Sequence, residues 1–536
     1  MKSALTLSMA AVASAASFSV GTVHDKAAPI LSSIDAETIP DSYIIKFKDH
    51  VDEHAASNHH MWVQDTHTQG ESERMELRKR SIPFTDKTFS GLKHTFDIGE
   101  AFKGYAGHFD ESMIEKVRNH PDSIQVEFIE RDTLVHTMVP ITNNDMVTED
   151  KCDGETERSA PWGLARISHR NTLNFGSFNK YLYSSDGGEG VDAYIVDTGT
   201  NVKHVDFDGR AHWGKTIPSG DADEDGNGHG THCSGTVAGK KYGVAKKASV
   251  YAVKVLRSNG SGSMSDVVKG VEFAATSHLE QKKKAKDGKR KGFKGSVANM
   301  SLGGGKTQAL DAAVNAAVRT GIHFAVAAGN DNADACNYSP AAASEPVTVG
   351  ASAIDDSRAY FSNYGKCTDI FAPGLNIVST WIGSETAINT ISGTSMASPH
   401  IAGLLAYYLS LQPAEDSEYA LASITPKKLK ENLISVATEN ALSDIPSDTP
   451  NLLAWNGGGC SDYKKIVEAG SYKVNKAAPS SRVEDIKHAV EQEVEVVSDK
   501  LTTGAKQLGS KAEKFSKKIH ELVDEELEQF IKELNL

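Results

Sequence analysis

The segment Gly393-Thr394-Ser395-Met396-Ala397-Ser398-Pro399-His400 sets a serine on a tight glycine turn that opens into the apolar run Ile401-Ala402-Gly403-Leu404-Leu405-Ala406. That arrangement presents a hydroxyl at the start of a helix. A neutral hydroxyl is a poor nucleophile until an adjacent imidazole takes its proton, and the imidazole needs a carboxylate to hold its tautomer. Both partners stand upstream: Asp197 closes the apolar run Tyr194-Ile195-Val196, and His229 lies in Asn227-Gly228-His229-Gly230-Thr231-His232-Cys233. Asp197, His229 and Ser395 read together as the orienter, base and nucleophile of a serine hydrolase.

Chain order separates the unrelated folds that share this constellation. Here it runs Asp, His, Ser, whereas α/β-hydrolases run Ser, Asp, His and chymotrypsin-like proteins run His, Asp, Ser. Ala397 also stands where a Gly-x-Ser-x-Gly elbow requires glycine. Ester hydrolysis is the weaker reading on both counts. Between the base and the nucleophile, Phe324-Ala325-Val326-Ala327-Ala328-Gly329-Asn330 is an apolar, strand-like run ending in glycine and asparagine. Alone, Asn330 would read as a turn former; beside the other three segments its amide reads as a donor to a developing oxyanion, together with the Ser395 backbone N–H. Loss of such an asparagine in subtilisin itself costs roughly 10²–10³ in kcat.

On these residues the chain resembles the subtilisin-like serine peptidases. Asp197-Thr198-Gly199, His229-Gly230-Thr231-His232-Cys233 and Gly393 to His400 look like the family's three signatures, and are similar to those of its proteinase K and cerevisin branch, which includes fungal vacuolar serine proteases. The similarity covers Ala160 to Asn456. It implies Asp197 as orienter, His229 as general base and acid, Ser395 as nucleophile and Asn330 as oxyanion donor, with no cofactor required. It implies that structural calcium is possible, and Asp369, in Lys366-Cys367-Thr368-Asp369-Ile370-Phe371, matches a position where proteinase K relatives hold an ion. Two glycine-bearing stretches, Ser258-Asn259-Gly260-Ser261-Gly262 and Ser301-Leu302-Gly303-Gly304, match segments that flank substrate as strands in subtilisin relatives. Pairing with the peptide main chain suits a protease of broad specificity. Gly260, Ser261, Ser301, Leu302 and Gly303 are the expected substrate contacts.

Neighbouring residues take blander roles. His232 lies on the face of His229 three residues on, and reads as a packed helix residue. Asp192 opens the strand that Asp197 closes, and Asp206 sits in a turn-like stretch; chemistry gathers at the carboxyl ends of parallel strands, which favours Asp197. Asp221-Ala222-Asp223-Glu224-Asp225-Gly226 imitates the start of a calcium loop, but its twelfth position is His232 rather than glutamate. Its acids read as a solvated turn ahead of His229.

A chain of 536 residues with 39% hydrophobic content can build a large core and more than one domain. A net charge of -14 argues against nonspecific nucleic-acid binding, and the one basic stretch, Lys282 to Lys291, reads as a solvated insertion loop. Met1-Lys2, the apolar stretch Ala4 to Ala13 and the small residues Ala13-Ser14-Ala15 look like a secretory signal, too short to span a bilayer. No integral membrane segment is expected, and the compartment is the vacuole or, alternatively, the exterior. Five cysteines fit an oxidising route. Cys336 and Cys367 are the first candidate pair because both flank core strands, and Cys152 with Cys460 the second. Cys233 is then a free thiol one helical turn after His229, open to mercurials. Sequons at Asn259 and Asn337 permit glycosylation, while Asn299 falls in an apparently buried strand.

The expected architecture is α/β. A signal (1–15) and linker (16–40) precede a small ferredoxin-like α/β unit (41–136), a subtilisin-like domain with a largely parallel central sheet (137–459) and a helical C-terminal extension (460–536). In the small unit, Ser42 to Phe47 and Ile124 to Ile129 read as strands and Glu111 to Asn119 as a helix. The unit resembles the inhibitory propeptide of subtilisin-like enzymes, with self-cleavage expected around Thr133-Leu134-Val135-His136-Thr137. In the extension, apolar positions from Val483 to Leu522 mostly cycle three, four, four, an eleven-residue pattern for an amphipathic helix. The resemblance implies an endopeptidase made as a self-processing zymogen, acting on proteins and peptides and inhibited by its own propeptide. The alternative is a catalytically inactive binding or regulatory protein of the same fold.

Overall fold

The computed structural model describes residues 27–31, 38–79, 89–99, 101–119, 126–137, 154–174, 176–417 and 423–474. The signal segment and the C-terminal amphipathic pattern lie outside the described residues.

The catalytic unit is organised by a sheet whose core strands run, from one edge inward, Ala211–Thr216, Ser249–Lys254, Val191–Asp197, Gly295–Met300, His323–Ala327, Val347–Ser352 and Ile370–Pro373, all parallel. Strands of a sheet covered on both faces read as near-continuous apolar runs, and every residue of Val191–Asp197 is buried. Its side chains alternate between two cores: Val191, Ala193 and Ile195 face one, Tyr194 and Val196 the other. The chain builds outward from this strand in one direction and then, from Gly295–Met300, in the other. The point of reversal is where an open α/β sheet leaves a crevice at its carboxyl ends.

The Thr394–Ser410 helix is buried along its whole length, as its continuous apolar sequence demands. Asp192, at the opposite end of the central strand, is gripped by both terminal nitrogens of Arg290 at 2.5 and 2.7 Å. This corrects the reading of the basic stretch as a solvated loop: Lys282 to Lys286 complete the Met264–Lys286 helix, and Arg290 neutralises a buried acid. Chain beyond residue 459 still belongs to this unit, since the Tyr463–Ala469 helix buries Ile466 and Tyr472–Lys473 pairs with Thr438–Glu439.

The N-terminal unit is an antiparallel sheet in the order Val126–Thr137, Thr38–Phe47, Phe102–His108, Gly91–Ile98. The helices Glu53–Lys79 and Glu111–Asn119 cover one face, with Val63, Met113, Ile114 and Val117 against Tyr43, Ile45 and Phe47. The other face places Ile44, Phe96, Phe102 and Phe128 in one core with the Met264–Lys286 and Gln308–Arg319 helices of the catalytic unit. Ile30–Leu31, inside the expected linker, already pairs with this sheet at Ile129 and Glu130. From Val126 on, the expected strand at Ile124 to Ile129 belongs to a longer one, Val126–Thr137.

Burial pushes the imidazoles of His232, His278 and His323 down to about 3 and that of His400 to about 4. Between those values and the ordinary value of 6.5, the unfolded chain binds protons that the folded chain does not, so their linkage contribution is complete above a pH of about 6.5 and is lost as pH falls. His278, with neither ring nitrogen bonded, tests this directly. The variant His278→Leu is expected to lower the slope of unfolding free energy against pH, from urea midpoints across that window, by up to about 1.4 kcal/mol per pH unit. An unchanged slope would exclude His278 as a titrating group.

Candidate active site

Asp197 closes its strand fully buried, and its Oδ1 lies 2.8 Å from Nδ1 of His229. Thr198 N donates to the same oxygen at 2.7 Å. With Nδ1 bonded to a carboxylate, the proton of a neutral imidazole resides there and Nε2 is an acceptor; His229 Nε2 is buried without a hydrogen-bond partner. The pair can therefore accept a proton at one defined atom.

His229 is the first residue of the His229–Ala238 helix and follows Gly228, whose φ of 101° puts it in the left-handed region. A Cβ at Gly228 would lie 2.5 Å from the Trp381 ring, so glycine is required twice over. The acid closing the preceding turn, Asp225, is not solvated as the sequence suggested. Its Oδ1 accepts from Thr198 Oγ1, Asn227 N and Gly228 N at 2.9 to 3.0 Å, and its Oδ2 accepts from Thr231 N at 3.0 Å and Thr231 Oγ1 at 2.5 Å. A carboxylate at a helix start satisfies orphan N–H groups and complements the helix dipole. Thr198 Oγ1 also accepts from Gly230 N at 2.9 Å, so one network fixes the residue after Asp197 and the turn around His229. Its sequence signal was the Asp-x-x-Gly-His spacing, obscured by the three acids before it. His232, as expected, is packed, with Nε2 on Ile377 O at 2.8 Å.

Ser395 is the second residue of its helix, after Gly393 at φ 153°. Pro399 has no N–H to offer the carbonyl four residues back, which is that of Ser395. That carbonyl instead accepts from Ser301 Oγ at 2.6 Å and Cys233 Sγ at 3.4 Å. Ser395 Oγ donates to Ser301 O at 2.9 Å. Asn330, three residues beyond the His323–Ala327 strand, turns Oδ1 to Thr394 N and Oγ1 at 2.9 and 2.8 Å, leaving Nδ2 buried and unpartnered. An amide fixed by its oxygen with a free N–H₂ is a prepared donor.

Cys233 is a buried free thiol, held neutral by burial, which raises its pKa well above the ordinary value. Ligand atoms of Asp197, His229 and Cys233 all lie within 4.8 Å of one another, so a soft metal bound there would disable the base. Cys336 and Cys367 form a disulfide with Cα atoms 5.2 Å apart; Cys460 is also disulfide-bonded, and Cys152 lies outside the described residues. Asn259 and Asn337 are exposed, while Asn299 is buried.

The tail of the N-terminal unit lies across this site as a strand. Leu134, Val135 and His136 pair antiparallel with Ser263, Gly262 and Ser261 on one side, and His136 and Thr137 pair with Gly303 and Leu302 on the other. Of the five expected substrate contacts, Ser261, Leu302 and Gly303 occupy these strands. Gly260 instead makes the turn before them, at φ 78°, and Ser301 Oγ donates to the Ser395 carbonyl. The same tail strand carries two acids that reach the catalytic unit. Glu130 accepts from Gln308 N and Ala309 N at 3.0 and 2.7 Å, and Asp132 from Ser265 N and Oγ at 3.1 and 2.7 Å. They cap the Gln308–Arg319 and Met264–Lys286 helices. Burial raises both carboxyls above the ordinary range, against the pull of those bonds. Sequence reading missed both because their partners are backbone N–H groups over a hundred residues away.

Asp369 does not fit the expected calcium. Lys430 Nζ stands 2.7 Å from its Oδ2, filling the position a cation would take.

Residues 188–453 match the family described as Subtilase family, and residues 42–138 match Peptidase inhibitor I9. The chain is similar to Subtilisin-like proteinase Spm1 of Pyricularia oryzae, 67% identical over 99% of each chain. It is 63% identical to Subtilisin-like serine protease Cla h 9.0101 of Davidiella tassiana, covering 100% of this chain and 99% of that one. Alkaline protease 2 of Aspergillus fumigatus is 65% identical, over 92% of this chain and 96% of the relative. Relatives named as proteases leave the inactive binding protein without support.

The carboxylate caps add charged hydrogen bonds to the shared apolar core that holds the N-terminal unit. Each hydrogen bond to a charged group contributes about 1.5–3 kcal/mol, so Glu130→Ala or Asp132→Ala is expected to raise the dissociation constant of the cleaved unit about 10- to 150-fold. Progress curves of protease activity after self-processing would show a shortened lag. An unchanged lag would mean that the shared apolar core alone holds the unit.

Proposed function

The chain belongs to the subtilase family, and on that premise we propose that Ser395 attacks the scissile carbonyl of a protein substrate while Nε2 of His229 takes its proton and Asp197 holds the imidazole through Nδ1. The protein is a subtilisin-like serine protease with an I9 propeptide, a zymogen that requires no cofactor. A rotation of the Ser395 side chain away from Ser301 O turns its hydroxyl to His229. Asn330 Nδ2 and the Ser395 N–H, a first-turn donor with no carbonyl four residues back in its helix, stabilise the oxyanion of the tetrahedral intermediate. His229 then returns the proton to the leaving amine, and water activated by the same base hydrolyses the acyl-enzyme.

The observation that carries this reading is the tail strand Leu134 to Thr137, paired on both sides by the Ser261–Ser263 and Leu302–Gly305 strands as an extended peptide would be. Recognition through the main chain supports broad specificity, with cutting after apolar residues favoured by the resemblance. Self-cleavage at or just past Thr137 then leaves the cleaved unit bound as an inhibitor. The Cys336–Cys367 disulfide agrees with the secretory pathway, within which the vacuole is favoured.

Intact mass of wild type and Ser395→Ala, passed through the same secretory host, tests the nucleophile and self-processing together. Wild type is expected to lose the segment up to about Thr137 and the variant to keep it; retention by both would sink the proposal. For Asn330→Ala, kcat is expected to fall by about 10²–10³ with KM little changed. A change confined to KM would assign Asn330 to substrate binding instead.

A further inference from the structure

Three oxygens converge beside the Val347–Ser352 strand, and a lysine fills the space between them. Lys430 Nζ lies 2.7 Å from Asp369 Oδ2, 2.7 Å from Pro346 O and 3.4 Å from Ser344 O. The carboxylate is itself fixed, with Thr348 N on Oδ2 at 2.8 Å and Asp369 N on Thr348 O at 2.9 Å. The lysine comes from the Pro426–Ser435 helix. Glu345, the other acid of this loop, is paired with Arg319 at 3.5 Å.

One carboxylate and two backbone carbonyls on a rigid frame are the hard oxygen donors that a calcium ion takes, at about 2.3–2.6 Å. An ammonium already within 2.7 Å of two of them leaves no room for the ion, and the two positive charges would repel strongly at that range. We infer that Lys430 is a tethered cation that takes the place of a divalent metal at this site, tying the Ser344 to Pro346 loop, Asp369 and the Pro426–Ser435 helix together without calcium. The lysine is supplied by the fold itself, so the site cannot be emptied by a chelator or by metal scarcity.

The test is the shift in melting temperature between chelator and millimolar calcium chloride, measured on the full chain for wild type, Lys430→Ala and Lys430→Ala with Asp369→Asn. Lys430→Ala is expected to melt several degrees below wild type in chelator and to gain several degrees more from calcium than wild type gains. That extra gain is expected to vanish in the double variant. A calcium response in Lys430→Ala no larger than that of wild type, or one that survives Asp369→Asn, overturns the inference. Should Lys430→Ala not fold in chelator, Lys430→Met keeps the apolar stem: recovery of folded Lys430→Met by calcium supports the inference, and failure to recover overturns it.

Discussion

The proposed catalysis rests on holding a fully buried carboxylate and an imidazole 2.8 Å apart. Removing a carboxylate from water costs several kcal/mol unless its oxygens are bonded, and a single misoriented imidazole would forfeit the arrangement. Thr198 N and His229 Nδ1 bond Oδ1 of Asp197, and placing the residue at the last position of the central strand fixes its orientation, because its backbone carbonyl is locked by Val255 N at 2.9 Å and Leu256 N at 3.2 Å. The imidazole is held from the opposite side. Asp225 closes the turn ahead of His229, and through Thr198 it reaches the residue that follows Asp197, so acid and base are positioned by one shared network rather than by two loops moving separately.

The nucleophile poses a different problem. A helix buried on every side must satisfy its own polar groups, yet its first N–H groups have to remain available to the reaction. Pro399 frees the Ser395 carbonyl from the helix, and Ser301 Oγ accepts the task of bonding it at 2.6 Å. Ser301 directly precedes Leu302, where pairing with the extended peptide begins. Ser395 and the strand that pairs with the extended peptide are thus joined through reciprocal hydrogen bonds between Ser301 and Ser395, and a displacement of either is felt by the other.

The parts of this arrangement legible in the sequence are those encoded by local pattern. Apolar runs closed by Asp197 or by Gly329-Asn330, and a glycine turn leading into an apolar helix, are short-range signals, and they located strands, helix starts and the four side chains of the proposed reaction. The N-terminal unit was half legible. Its Glu111–Asn119 helix shows clear apolar spacing, but the Glu53–Lys79 helix is so rich in His, Glu and Gln that only a few positions, Ala56, Val63 and neighbours, mark its buried face. Asp225, Arg290 and Lys430 were misread or passed over for a common reason. Each is a charged residue in a polar stretch whose partner comes from elsewhere in the chain, and charge in a polar stretch looks solvated until the fold supplies that partner.

One strand of the inhibitor unit both docks it and fills the position of an extended peptide. Along Val126–Thr137 alternate residues face opposite sides: Ile129 enters the core of the N-terminal unit, while Phe128, Glu130 and Asp132 face the catalytic unit. Glu130 and Asp132 supply the two helix N-termini with further carboxylates from the N-terminal unit, so docking stabilises the helices next to the strands that pair with its tail. Leu134 to Thr137 then continue the same strand into the site. A cut beyond this tail removes none of these contacts: the caps, the shared core and the paired strand all remain on the inhibitor side of the broken bond. Cleavage alone therefore does not release the enzyme, and activity must await the loss or destruction of the bound unit.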